Sequence, residues 1–328
     1  MVSVIIPTYK RAEYIERAIK SVLNQTYQNF EIIVVDDNNP NTTERSELEE
    51  KMKKFSTNDK IIFIQHEVNK NGAAARNTGI KIARGDYITF LDDDDYFLSD
   101  RLSKMVQALE NNKEYGAAYS SAILMKNSNI LSIIEANKSG NFQKDLLMQK
   151  SFFGTGSNMF FRADILKKLN GFDEKFLRHQ DIEVMIRFFN ENKILAVKDI
   201  LVVKNDDDRK NIPNIEKMIN IKKLFFDTFE KEINKIEKLE REDVFYYNYR
   251  EVYIACIRSK QFKEAKKIKK VMSNFKKISF KENIKYLWIL LNAYIPINKI
   301  KQNMNSKKYK KGLDIKTLNE INICEKLK

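Results

Sequence analysis

Asp92, Asp93, Asp94 and Asp95 stand in a row, and four adjacent carboxylates repel one another unless a cation is at hand. Hard divalent ions such as Mg²⁺ and Mn²⁺ take carboxylate oxygens and commonly bridge phosphates. The bland alternative is an acidic surface turn. Against it, the run directly follows the apolar stretch Asp86–Leu91 and precedes Tyr96 and Phe97, as expected at the end of a buried strand. Asp36 and Asp37 follow Glu31-Ile-Ile-Val-Val35 in the same way, and Pro7, Thr8 and Tyr9 follow Val2-Ser-Val-Ile-Ile6. A further carboxylate, Asp181, opens a segment with Ile182, Met185, Ile186 and Phe189 on one helical face. Such a group can take the proton of an attacking hydroxyl, or it can simply cap the helix. Glu183 is the nearby alternative base, with a solvated helix face as its plain reading.

The elements that must position these residues alternate. Strands are expected at 2–6, 31–35, 60–65 and 86–91, with helices at 13–25, 44–55 and 73–83 between them. A βαβ series of this kind makes an α/β fold with a mostly parallel sheet flanked by helices, and ligands bind beyond the carboxyl ends of its strands. The acidic and polar residues gather at that edge. The middle of the chain is mixed, with strand patterns at 117–121 and 158–162 and a helix at 181–190. From about residue 215 the pattern is helical and Lys-rich, and 249–259 and 262–272 form a helical hairpin pattern. The division is therefore residues 1–212 as one domain and 213–328 as a helical C-terminal extension.

Several blocks occur in a recognisable order. Val2-Ser-Val-Ile-Ile-Pro-Thr-Tyr9, Ser21-Val-Leu-Asn-Gln-Thr26 and Ile33-Val-Val-Asp-Asp37 resemble the opening of family 2 glycosyltransferases with the GT-A fold. Asn71-Gly-Ala-Ala-Ala-Arg-Asn-Thr-Gly79, Gly85–Asp95 with its DxD pattern, Gly171-Phe-Asp173 and His179-Gln-Asp181 resemble the blocks that follow. The resemblance spans residues 1–205 and implies inverting transfer of a sugar from a nucleotide diphosphate donor, a UDP-sugar, to a hydroxyl of a cell-surface glycan or lipid-linked acceptor. It implies a nucleotide pocket lined by Pro7, Thr8 and Tyr9, with Asp37 accepting from the base and Arg76 near the base or diphosphate. Asp92 and Asp94 match the two acids of the DxD pattern, with Asp94 as the direct ligand of Mn²⁺ or Mg²⁺. Asp93 would contact ribose or the donor sugar, and Asp181 would be the general base. The chain departs from the pattern after 201–204, where many relatives carry a His; here Asn205-Asp-Asp-Asp-Arg209 stands, and Asp206 or Asp207 is a substitute oxygen ligand or part of a polar loop. The only histidines are His66 and His179, which excludes a His-rich metal site.

Composition narrows the remainder. Hydrophobic residues make up 43% and charged residues 32%, a globular balance. Cys256 and Cys324 form no CxxC pattern and imply neither a disulfide framework nor zinc. The first strand begins at once, with no signal-peptide pattern, and the most apolar stretch, 286–297, is too short to span a bilayer. A cytoplasmic protein is expected. The formal net charge is +14, part of it in a stretch from 284 to 311 where Lys285, Lys299, Lys301, Lys307, Lys308, Lys310 and Lys311 flank Tyr286–Leu291 and Tyr294. That pattern suits the inner face of an anionic membrane, or a helix packed on the catalytic domain with a solvated end, or a dimer contact. No recognisable nucleic-acid module is present. The competing readings are an inactive scaffold of the same fold that docks through its helical tail, and a nucleotidyltransferase, which would carry a Gly-rich loop where Pro7-Thr-Tyr-Lys-Arg11 stands. A capsule, teichoic acid or lipopolysaccharide assembly enzyme is the leading expectation.

Overall fold

A computed structural model describes residues 1–206, 214–294, 306, 309–310 and 312–325. It divides into two compact units, Met1–Asn141 with Phe152–Asp207 and Met304–Lys328, and Phe142–Ser151 with Asp208–Asn303. The change of unit at 207/208 lies near the change of sequence pattern, but the C-terminal segment from Met304 returns to the first unit instead of continuing the helical extension.

The first unit opens with β1 (Val2–Thr8), α1 (Ala12–Leu23), β2 (Phe30–Asp36), α2 (Thr43–Lys53), β3 (Ile61–Gln65), α3 (Gly72–Ile82) and β4 (Tyr87–Phe90). Strands β1, β2, β3 and β4 are parallel neighbours, with Val2 paired to both Phe30 and Tyr87. Residues of β1 and β2 are buried on both faces, which is why these strands read as continuous apolar runs. Helix α1 buries Ile15, Ala18, Ile19 and Val22 at i, i+3, i+4 and i+7. Helix α3 runs close to the sheet because its inward residues are small: a Cβ on Gly79 would lie 2.5 Å from Ile5 Cγ2.

Beyond β4 the sheet turns mixed. β5 (Tyr96–Phe97), α4 (Arg101–Asn111), β6 (Ala117–Lys126), β7 (Asn129–Ile134), β8 (Phe160–Arg162), α6 (Ala163–Lys168), α7 (Gln180–Phe188) and β9 (Ile194–Asn205) follow, while α5 (Gln143–Leu147) belongs to the second unit. The order across the sheet is β3-β2-β1-β4-β8-β6-β9-β5, with β7 on β6. β8 enters antiparallel between β4 and β6, and β6 and β9 pair in parallel. The expected fold therefore holds: a GT-A-type sheet, parallel in its first half and mixed in its second, flanked by helices.

The second unit comprises α5, α8 (Ile215–Thr228), α9 (Glu230–Asn234), α10 (Lys238–Arg258), α11 (Phe262–Phe275) and α12 (Phe280–Tyr294). Its core is built from Tyr246, Val252, Cys256, Ile268, Met272 and Tyr286 with their neighbours. The last helix, α13 (Ile315–Glu325), belongs to the first unit, where Ile321 packs with Tyr96, Ile123, Met125 and Val203.

Candidate functional site

The polar residues at the carboxyl ends of β1, β2 and β4 converge as the sheet topology requires. The backbone N–H of Asp37 donates to Thr8 O at 2.9 Å, and Lys10 N donates to Asn38 Oδ1 at 2.9 Å, stitching the first two strand ends together. Tyr9 is 38% exposed at this edge, and Lys10 adopts a left-handed φ of 59°. Buried Asp36 is held by Arg45 Nε at 2.8 Å and by Asn38 N at 2.8 Å, and burial pushes its carboxyl up despite those bonds.

Asp37 is buried and fully engaged by the chain itself. One carboxylate oxygen accepts from Lys70 N at 2.8 Å and meets His66 Nδ1 at 2.7 Å. The other accepts from Asn69 Nδ2 at 2.7 Å and Asn71 N at 3.0 Å. Its four lone-pair directions are thereby occupied. In this structure Asp37 organises the 66–71 loop, and any contact with a base would have to share or replace one of these donors. The loop in turn sets Asn71, at φ 131°, as the N-cap of α3, its side chain accepting from Ala73 N and Ala74 N.

The four aspartates divide by burial. Asp93, Asp94 and Asp95 are buried, at 4%, 9% and 1% exposed, whereas the Asp92 side chain keeps 30%. Burial pushes the Asp93 carboxyl up to about 7, against the pull of the Arg11 guanidinium and with the push of Asp94. Asp93 faces Arg11 Nη1 at 3.2 Å, and the contact with ribose or the donor sugar expected from sequence would have to reach a carboxylate that is buried here. Asp95, also raised by burial and by Asp94, accepts from Ser157 Oγ at 2.6 Å, Thr155 Oγ1 at 3.0 Å and Asn205 N at 3.0 Å. It anchors the run from below. Asp94 carries Arg11 on its carboxylate, and its carbonyl accepts from Arg17 and from Asn205 Nδ2.

Arg76 sits between the two halves of the site. Its Nη2 donates to Asp92 Oδ1 at 2.6 Å, and its Nη1 donates to Gln180 Oε1 at 2.8 Å and Gly72 O at 3.2 Å. Sequence placed it near base or diphosphate; the structure ties it to the acidic run on one side and to the residue beside Asp181 on the other. These residues line a cavity of about 340 Å³ together with Asp181, His179, Met159 and Phe172.

Asp181 is the second residue of α7, not its cap. The cap position is His179, in a left-handed conformation with no side-chain capping bond. One Asp181 oxygen accepts from the adjacent Ile182 N at 2.9 Å. Glu183 is neither a base candidate nor a solvated face residue: it is 1% exposed, grips Arg187 through both oxygens and accepts from Asp173 N at 3.1 Å.

Among the described residues no three acidic, histidine or cysteine side chains converge on a metal position. The donor set still fits Mg²⁺ or Mn²⁺, because such ions are commonly held by one or two carboxylates and complete their shell with phosphates and water. Asp94 and Asp92 supply that number. Asp206 pairs with Lys126 Nζ at 3.2 Å, while Asp207, Asp208 and Arg209 lie outside the described residues. Sequence reasoning passed over Gln180, Ser157, Thr155, Asn205 and the ion pair of Arg11. Gln180 and Arg11 adjoin motif residues and Asn205 opens the departing segment 205–209, which are usable signals; Thr155 and Ser157 are ordinary polar residues with no local mark.

The amino-acid sequence matches the family described as glycosyl transferase family 2 over residues 3–170. The chain is a family 2 glycosyltransferase. A second family description, glycosyl transferase family group 2, matches residues 87–297. An uncharacterised glycosyltransferase of Methanocaldococcus jannaschii is 35% identical over 215 residues, 64% of this chain and 72% of that protein. The Escherichia coli protein WfgD, named a UDP-Glc:α-D-GlcNAc-diphosphoundecaprenol β-1,3-glucosyltransferase, is 30% identical over 60% of this chain and 73% of its own length. The amylovoran biosynthesis glycosyltransferase AmsB of Erwinia amylovora is 30% identical over 56% and 62%. In fold, the glycosyltransferase resembles residues 1–349 of Staphylococcus aureus TarS, solved with UDP-GlcNAc, at a TM-score of 0.55 and 16% identity over 89% of this chain and 81% of that one.

Proposed function

We propose that this glycosyltransferase is an inverting enzyme that moves a sugar from a UDP-sugar to a hydroxyl of a cell-envelope glycan or lipid-linked acceptor. The observation that carries the reading is the shared cavity of Asp181, Arg76 and Asp92: a carboxylate bonded within the described residues only to its neighbour's N–H faces the same space as the first aspartate of the acidic run. The names of WfgD and of the TarS complex support the choice of a UDP-sugar.

In this reading the acceptor hydroxyl lies in the cavity within reach of Asp181, whose carboxylate takes its proton as the oxygen attacks the anomeric carbon. The bond from that carbon to the diphosphate oxygen breaks, with inversion. Proton removal by a positioned carboxylate contributes on the order of 10²–10⁴ in rate. Tyr9, Thr8 and Pro7 lie along the nucleotide edge, and Arg76 holds Asp92 and Gln180 at the distances given above. Asp94, with Asp92 beside it, would hold Mn²⁺ or Mg²⁺, which when bound stabilises the charge growing on the diphosphate.

The test is thermal unfolding with UDP, GDP and CDP, with and without Mn²⁺, on wild type and Asp94→Ala. A ligand at 100 times its Kd stabilises the native state by about 2.7 kcal/mol. For a chain of this size that raises Tm by about 5 °C. UDP with Mn²⁺ is expected to give this rise, and Asp94→Ala to lose it. Absence of any shift with every nucleotide and metal would reject the donor site and favour the inactive scaffold.

A further inference from the structure

Helix α12 presents two faces. Tyr286, 3% exposed, packs with Ile289 and Leu290 into the core of the second unit. Phe280, Ile284, Leu287 and Leu291 recur at i, i+4, i+7 and i+11 and remain 81%, 47%, 55% and 45% exposed, with Trp288 at 48% among them. Single exposed apolar side chains are ordinary, but a stripe along one helix marks an interaction surface.

A strongly basic groove adjoins it. Lys263, Lys266, Lys267, Lys269, Lys270 and Lys277 line a space of about 820 Å³. Between Phe262 and Tyr294 nine lysines stand against two glutamates, a surplus equal to half of the chain's formal +14. The two glutamates are engaged locally: Glu264 pairs with Lys267 Nζ at 2.9 Å, and Glu282 accepts from Tyr246 Oη at 2.8 Å and Ser279 Oγ at 2.9 Å. A second recess of about 370 Å³, lined by Tyr253, Ile257, Ala265, Leu287 and Leu290, shares Lys266, Lys269 and Asn283 with the groove. Basic and apolar surfaces are therefore continuous on this face.

We infer that the α11–α12 face docks on an anionic phospholipid bilayer, its lysines on the lipid phosphates and the Phe280–Leu291 stripe in the interfacial layer. A soluble polyanion would use the lysines and leave the aliphatic stripe in water. An apolar protein partner would use the stripe and leave the lysine surplus uncompensated. An anionic lipid surface satisfies both, because its phosphates and acyl chains lie within one side chain's depth of each other. The helix lies on the bilayer: fifteen residues extend about 22 Å, short of the roughly 30 Å of hydrocarbon, and no described helix is long and apolar enough to cross. This inference does not rest on the donor-site reading.

Trp288 is the chain's only tryptophan, so its fluorescence reports directly from the proposed surface. The full chain is mixed with equimolar phosphatidylglycerol–phosphatidylcholine vesicles and with pure phosphatidylcholine vesicles, and flotation is measured alongside emission. Anionic vesicles are expected to shift emission to the blue and carry the protein upward, and roughly 0.5 M salt to release it as the Debye length falls to about 4 Å. Each neutralised lysine should lower partitioning about fivefold, so the triple variant Lys266→Gln, Lys269→Gln, Lys270→Gln loses about a hundredfold. Phe280→Ser with Leu291→Gln should lower it at least tenfold with the groove intact. Unchanged circular dichroism in both variants separates this from misfolding. Failure of wild type to float or shift would overturn the inference. So would unchanged vesicle binding by the Phe280/Leu291 variant with equal affinity for polyphosphate, which would make the face a polyanion site. A vesicle-free, concentration-dependent dimer whose formation alone shifts Trp288 would likewise replace it with self-association.

Discussion

Asp181→Asn isolates the proposed base. The carboxylate's bond is to the N–H of Ile182 at 2.9 Å, and the asparagine carbonyl oxygen can accept that bond equally well. Asp181 lies in the first turn of α7, where negative charge is favoured by about 0.3–1 kcal/mol, so loss of its charge should lower stability by no more than that. The catalytic effect is far larger. An amide cannot take the hydroxyl proton, and removing a general base costs on the order of 10²–10⁴ in kcat, or about 3–5 kcal/mol in the barrier. UDP release from a panel of UDP-sugars, with and without acceptors, gives kcat and KM; thermal shift with UDP and Mn²⁺ gives donor binding. The expected outcome is a kcat lowered by at least a hundredfold, with the nucleotide-induced shift unchanged. A variant keeping more than a tenth of wild-type kcat would refute the assignment. A variant losing the nucleotide shift as well would mean that Asp181 shapes the donor site.

Other perturbations test the framework around it. Arg76→Lys keeps the charge but cannot span Asp92 and Gln180 together, so kcat should fall about tenfold or more, with Tm within about 1–2 °C of wild type; an unchanged kcat would show that the bridge does not position Asp181. Glu31 is pushed up by burial but held net below its usual value of 4.5 by Ser3 Oγ, Arg84 N and the Arg84 guanidinium. A depressed carboxylate contributes stability above its unfolded pKa and loses it as pH falls through the folded one. Wild type should therefore lose Tm more steeply than Glu31→Gln below about pH 4.5, and parallel profiles would contradict this. Helix propensity alone would have Gly79→Ala stabilise by about 1 kcal/mol. The 2.5 Å approach to Ile5 Cγ2 reverses the sign and should destabilise by about 1–3 kcal/mol, partly rescued by Ile5→Ala; a raised denaturation midpoint for the single variant would refute the packing argument.

Much of the architecture was legible in one dimension, because the features that reveal it are local. Runs buried on both faces, such as Val2–Ile6 and Ile32–Val35, announce parallel strands, and the spacing of Ile15, Ala18, Ile19 and Val22 announces the helix between them. The topology of such a sheet then sends Pro7–Tyr9, Asp36–Asp37 and Asp92–Asp95 to one edge, so the neighbourhood of the site followed from pattern and connectivity together. The partners within that neighbourhood did not. Arg76 meets Gln180 across 104 residues, and Asp95 meets Ser157 across 62. Nothing in the local spelling distinguishes the more open Asp92 from buried Asp93, Asp94 and Asp95, since burial of each carboxylate in a run is set by what packs over it. The carboxylate of Asp37, open to a base in the sequence reading, is occupied by a loop that only folding brings back to it. The same holds for the helical end: the sequence marked an apolar, aromatic stretch from residue 286 with lysine flanks, but which stripe of α12 stays in water, and that lysines of α11 lie beside it, depends on how α10, α11 and α12 pack. Backbone pattern follows from sequence neighbours, while the pairing of charges and the exposure of faces follow from contacts between residues far apart along the chain.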